Sequence, residues 1–147
     1  DWEVIDQVAR AVNVPVIGNG DIATGEDLAR RKRETAVSGV MIGRAAMQNP
    51  WVFREAKHFL ETGEVMAEVP LEERWQLIIR HCRMAVESGR YGNERQTLTA
   101  MRGRLMAYCK GFPGAKDLRQ KLCHVESIGA VEKLSEKCLG LRVMMDL

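Results

Sequence analysis

No run of apolar residues in this sequence approaches the roughly 20 needed to cross a bilayer as a helix. Its first residues, DWEVIDQVARAV, lack the basic-then-apolar layout of a secretory leader. Both absences point away from membrane and export, so a cytoplasmic protein is expected. The four cysteines, Cys82, Cys109, Cys123 and Cys138, form no C-x-x-C pair. Neither a zinc knuckle nor a redox dithiol is therefore encoded, and small buried hydrophobes are the expected role. His58, His81 and His124 have no metal-ligand spacing among themselves, and no metal site is expected. Internal repeats, low-complexity tracts and long linkers are also missing.

What is present suits one ordinary globular domain, or pieces of two: 147 residues, 46% of them hydrophobic. The chain starts on Asp1-Trp2 without a methionine and reads as a piece of something longer. Its formal charge of +2 hides a division. Arg74 to His124 holds 11 Lys and Arg against three acids, Glu87, Glu94 and Asp117, a net of +8, while the rest carries 11 bases and 17 acids, a net of −6. A basic half of this kind invites a polyanion.

Asp1 to Val12 has apolar residues at three- and four-residue steps, which predicts a helix ending near Asn13. Val14 to Gly18 is a short β-branched run beside Pro15 and predicts a strand buried on both faces. Thr24 with Asp27 three residues on predicts a capping box and a helix from Gly25 to Thr35. Val40 to Ile42 predicts a second buried strand, and Asn49-Pro50 the cap and first residue of a helix closed by Gly63. This alternation is that of an α/β protein with parallel strands. Two strands cannot bury both faces of a sheet, so the segment makes sense only within something larger, with the missing strands expected upstream.

Beyond EVMAEVP the pattern is helical throughout, which places a boundary near Val65 and predicts a small helical bundle over 65–147. One helix is expected on Leu71, Trp75, Ile78 and Cys82, and a second over Asn93 to Lys110. A third is marked by Leu118, Leu122 and Val125, and a short fourth starts at Ile128.

The two turns after the predicted strands carry the chemistry. Glycines directly after buried strands let backbone N–H groups approach a ligand, and a helix N-terminus beyond favours an anion. Asn19-Gly20-Asp21 and Gly43-Arg44 fit this description, and Arg44 adds a fork suited to phosphate oxygens. In eight-stranded β/α barrels the loops after the last two strands often form such a phosphate cradle. The plainer reading keeps Gly18, Gly20 and Gly43 as tight-turn residues, Asp21 capping its own backbone and Arg44 in solvent. On the residues alone both stay open.

The stretches PVIGNGDI, GVMIGRAAMQNPWVFRE and YCKGFPGA resemble the later part of bacterial tRNA-dihydrouridine synthases, and the similarity spans almost the whole chain. The resemblance implies a fold of α/β plus all-α type: the C-terminal portion of an FMN-binding TIM (β/α)8 barrel over 1–64, then a helical tRNA-binding domain over 65–147. It also implies reduction of uridine in tRNA to 5,6-dihydrouridine with NADPH as electron donor. Residue by residue, the family's N-G-D turn falls on Asn19, Gly20 and Asp21 and its G-R turn on Gly43 and Arg44, which would hold the FMN phosphate. The family's general-acid cysteine, in an N-x-G-C-P setting, is expected upstream of residue 1, as are its lysine and histidine near the flavin ring.

Two departures stand out. LARRKRE puts Arg31, Lys32 and Arg33 where relatives usually have apolar residues, and Arg102-Gly103-Arg104 stands where relatives typically read R-K-H. For tRNA, Arg95, Arg102 and Lys110 are expected along one stripe with Thr99, with Arg104, Lys116, Arg119 and Lys121 extending the surface. Tyr91, beside Arg90 in SGRYGNE, reads equally as a base-stacking ring or as a turn anchor. Trp51, Phe53 and Phe59 are expected in helix packing. Two rival functions remain on sequence: a non-catalytic RNA-binding module, and another FMN-dependent TIM-barrel oxidoreductase with a small-molecule substrate.

Overall fold

The computed structural model describes the backbone of residues 1–112 and 114–145 and side chains as far as residue 140. The proline of the YCKGFPGA stretch thus lies outside the described residues. The chain forms two compact units, Asp1–Glu68 and Val69–Leu147. No helix among the described residues is long and apolar enough to cross a membrane.

The first unit runs α1 (Trp2–Ala11), β1 (Ile17–Asn19), α2 (Gly25–Glu34), β2 (Gly39–Met41), α3 (Arg44–Gln48) and α4 (Val52–Thr62). Asp1 caps α1 by accepting from the Glu3 and Val4 amides. At α2 the capping box is complete: Thr24 Oγ1 accepts from the Asp27 amide at 3.1 Å, and Asp27 Oδ2 accepts from the Thr24 amide at 3.2 Å. Gly63 ends α4 in the left-handed region, as its lack of a Cβ allows.

β1 and β2 pair in parallel with Ile17 opposite Gly39, Gly18 opposite Val40 and Asn19 opposite Met41. Pairing is shorter than the sequence suggests because Pro15 has no N–H to give; Val16 O takes the Ser38 amide at 2.9 Å, and the ladder follows. Nor are the strands buried on both faces. Ile17 is 60% and Met41 50% exposed, because two strands have only one covered side in this unit. The small core gathers Ile22, Leu28 and Ala56, with Trp2, Val40 and Ile42 against it.

Asn49 does not start the helix that follows it. Its amide closes α3 on Ala45 O at 2.8 Å, its Oδ1 accepts from the Trp51 amide and its Nδ2 donates to both oxygens of Glu55. The regular turns of α4 begin at Val52. Phe53, expected in packing, is 56% exposed. Gly25 lets α2 and α4 touch: a Cβ there would stand 2.6 Å from Phe59 Cβ and 3.1 Å from Ala56 Cα.

The second unit is four helices, α5 (Leu71–Glu87), α6 (Glu94–Tyr108), α7 (Ala115–Leu122) and α8 (Ile128–Met145). The fourth, expected to be short, has 18 residues. Trp75 and Ile78 of α5, Leu98, Met101 and Leu105 of α6, and Leu122 of α7 are fully buried and form one core with Val131 of α8. Asn93 and Gln96 form a second capping box at α6. Arg74 fastens the exit of α6: its Nη2 donates to Lys110 O, and its guanidinium lies 4.5 Å from the centre of the Phe112 ring, which meets Trp75 edge-on at 5.6 Å.

Candidate functional site

Because Asn19 pairs with Met41 in a parallel ladder, the chain leaves both strands at the same end of the sheet, and the two turns become neighbours. Gly20 has φ +147°, a value that L side chains rarely adopt, and Asp21 follows in the left-handed region at φ +46°. Arg44 Nη2 reaches across to Asp21 Oδ1 at 2.6 Å, and both side chains are more than four-fifths exposed. Gly43, which caps α3, faces open space: no atom lies within 4 Å of where its Cβ would be. The structure therefore brings Asn19, Gly20, Asp21, Gly43 and Arg44 together.

This constellation suits an anion. The first two amides of α3, of Arg44 and Ala45, precede the first bonded one, Ala46 to Gly43 O; Gly43 leaves room beside them, and Arg44 supplies a full positive charge. Asp21 works differently from the others. Its carboxylate would repel an anion, and here it acts as the counter-ion that positions Arg44.

Sequence reasoning missed the residue that shapes this turn, Trp2. Its Nε1 donates to Gly20 O at 3.0 Å, and its ring lies against Gly18, where a Cβ would be 2.5 Å from Cζ3. Above the indole, the Arg31 guanidinium sits 5.0 Å from the ring centre. The basic LARRKRE stretch thus contributes packing through Arg31, as a long stem with a planar head can. The available signal was Gly18 in β1 and Gly20 just beyond its end, two positions without side chains that ask for a large occupant.

On the helical unit the four basic positions separate. Arg95 is neutralised by Glu126 at 2.9 Å. Arg102, half-buried, keeps its Nε without a hydrogen-bond partner. Arg104 is two residues on, about 200° around α6, so it flanks the opposite side of the buried Leu98-Met101-Leu105 stripe. There it stands near Tyr91, His81 and Tyr108. Lys110 follows the helix end and is exposed.

Comparison with known proteins bears on what these features belong to. The family described as Dihydrouridine synthase matches residues 1–142. The chain belongs to the dihydrouridine synthase family. It is 32% identical over 136 residues to a probable tRNA-dihydrouridine synthase of Aquifex aeolicus, covering 92% of this chain and 40% of that one. A tRNA-dihydrouridine synthase B of Pseudomonas putida is 32% identical over 142 residues, 97% of this chain and 40% of its own length. A probable tRNA-dihydrouridine synthase 1 of Synechocystis is 33% identical over 139 residues, 95% and 38% respectively. The chain spans about two fifths of the curated relatives it matches.

Within this dihydrouridine synthase chain the cysteines are packing groups. Cys82 and Cys109 are fully buried in the helical core, and burial pushes both thiols up to about 11. Cys123 and Cys138 are partly buried on the same unit. His81 Nδ1 lies 2.9 Å from Tyr108 Oη, and burial, then the charge of Arg104, lowers the imidazole below its ordinary 6.5. The pair is a hydrogen bond between α5 and α6.

Proposed function

We propose that this chain supplies the phosphate end of the flavin site and the RNA-holding part of an FMN-dependent, NADPH-using tRNA-dihydrouridine synthase of the cytoplasm. Residues 1–64 would be the closing portion of its TIM barrel and 65–147 its helical tRNA-binding bundle. The observation that carries the reading is the convergence of Gly20-Asp21 and Gly43-Arg44 at one end of a parallel strand pair, tied by the Arg44–Asp21 contact. Loops after the last strands of such barrels are where phosphate sites recur. The exposed Ile17 and Met41 of the sheet, and Val4 and Val8 of α1, support placement inside a larger barrel.

The Arg44 guanidinium and the α3 amides would hold the FMN phosphate, Gly43 giving it room and Asn19 hydrogen bonding beside it. The chemistry FMN would supply when bound is relay of a hydride from NADPH to C6 of uracil, while C5 would take a proton from the catalytic acid. Arg102, Arg104 and Lys110 would hold tRNA phosphates, with Arg95 joining when Glu126 is displaced. A uracil inside a stack is out of reach, so these contacts would steady RNA from which one base is extruded. The catalytic acid is proposed to lie outside these residues, because Cys82 and Cys109 are sealed in the helical core.

The test is flavin content of the complete protein and its Arg44→Ala variant. Loss of one charge-assisted contact worth about 1.5–3 kcal/mol should weaken FMN retention roughly 10- to 150-fold. Equal retention would remove the phosphate site, and tRNA binding without any flavin would favour the non-catalytic module. The 147 residues alone are expected to form no dihydrouridine, read by mass spectrometry of incubated tRNA.

A further inference from the structure

The connection between α5 and α6 holds a group that the flavin reading leaves unused. Arg90 lies with its guanidinium 5.6 Å from the centre of the Tyr91 ring. Arg104 reaches the same phenol from α6, and with Arg90 it draws the Tyr91 hydroxyl below its ordinary range. Behind Arg104, the His81–Tyr108 pair closes the space between α5 and α6, so Arg104 stands on a packed floor facing outward. Tyr91 itself is only partly covered, and Gly89 and Gly92 on either side, at φ +63° and +94°, bend the backbone around it.

Several cations of the basic half are already neutralised. Arg83, Arg95 and Lys121 are each paired with a carboxylate, of Glu132, Glu126 and Asp117. Among the described residues no carboxylate pairs with Arg90 or Arg104. One planar cation on the face of a partly exposed aromatic ring, with a second at its hydroxyl and neither paired with a carboxylate, is an arrangement for which a nucleotide is the fitting ligand. The base face stacks on a guanidinium or a phenol, and phosphates on either side meet the charges. A duplex hides its base faces, so the ligand must be unpaired.

We propose that Arg90, Tyr91 and Arg104 form a stacking post for one unpaired base of RNA, set apart from the Arg102 side of α6. The proposal rests on the reading that the helical unit holds RNA, and it adds where a base, not only a phosphate, is gripped.

The experiment measures binding of a tRNA transcript to the complete protein across a salt series, for the wild type and for Tyr91→Ala, Tyr91→Phe, Arg104→Gln and Arg102→Gln. Tyr91→Ala should weaken binding about tenfold, a stacking-sized loss, with no change in salt slope. Tyr91→Phe keeps the ring and should bind within about twofold of wild type, the stacking face being retained. Arg104→Gln should weaken binding and make the slope shallower by about 0.7 to 0.9. A parallel crosslinking experiment with 4-thiouridine-substituted tRNA should map a crosslink to residues 90 or 91, and it decides the matter if circular dichroism shows that Tyr91→Ala fails to fold. Wild-type affinity for Tyr91→Ala, or crosslinks only on the Arg102 side, would overturn the stacking post and leave RNA binding standing. A wild-type protein that binds no tRNA at all would overturn both.

Discussion

The cleared strand face beneath Trp2 makes a quantitative prediction. In Gly18→Ala the new methyl carbon would lie 2.5 Å from Trp2 Cζ3 and 2.9 Å from Cη2, with Val37 Cγ1 at 3.3 Å. The ring must give way, yet it is pinned by its bond to Gly20 O and covered by Arg31. Moving it forfeits about 0.5–1.5 kcal/mol for the hydrogen bond and about 0.5–1 kcal/mol for the cation–π contact. Against this, replacing glycine in a strand returns roughly 0.5–1 kcal/mol of backbone entropy. A net destabilisation of about 0.5–1.5 kcal/mol is expected, toward the lower part of the 1–3 kcal/mol typical of overpacking because a side-chain tip rather than backbone moves. In a Trp2→Ala background the obstacle is gone, and the same substitution should be near neutral. Urea unfolding followed by far-UV circular dichroism on the four proteins of this double-mutant cycle reads the coupling, expected at roughly 0.5–2 kcal/mol. An equal cost of Gly18→Ala in both backgrounds would refute the claim that Trp2 shapes the turn.

Three further outcomes follow, from two other glycines and from His81. Gly25→Ala should destabilise by about 1–3 kcal/mol, because Ala56 Cα at 3.1 Å and Phe59 Cβ at 2.6 Å cannot swing aside as a side-chain tip can. Gly103→Ala, at an exposed position of α6 where nothing lies within 4 Å, should instead stabilise by about 1 kcal/mol, and the same urea titrations check both signs. Since the folded imidazole of His81 titrates below its ordinary 6.5, the unfolded chain binds a proton that the fold does not. Stability should therefore fall as pH drops through 6.5 and stop falling below the depressed folded value. Comparing urea midpoints at several pH values for wild type and His81→Gln isolates this slope, which the variant should lack.

Much of the architecture could be read from local chemistry. The capping residues Thr24 and Asn93, and Gly63 as a helix stop, act within a few residues of themselves, so the sequence carries their effect directly. The neighbouring turns followed from parallel strands, which put their ends on one side. What escaped depends on distant partners. Trp2 and Gly20 are 18 residues apart, and no periodicity links them. Arg95 looked like a free cation along its helix until Glu126, from the connection before α8, took its charge. Asn49 carries a helix-start signature, but Ala45 and Glu55 claim its groups on either side. Arg104, expected to extend the surface of the Arg102 stripe, stands on the opposite flank of α6, because two residues turn a helix by about 200°.

If the strand-end turns hold a phosphate as proposed, the contact between Arg44 and Asp21 would give that site a built-in competitor. With both side chains in solvent, opening it costs no more than about 1 kcal/mol. A singly charged visitor would merely exchange one partner for another at the guanidinium and gain little. A doubly charged one brings an extra charge to the α3 amides as well, so this latch would filter anions by valence, ignoring chloride while yielding to a phosphate monoester.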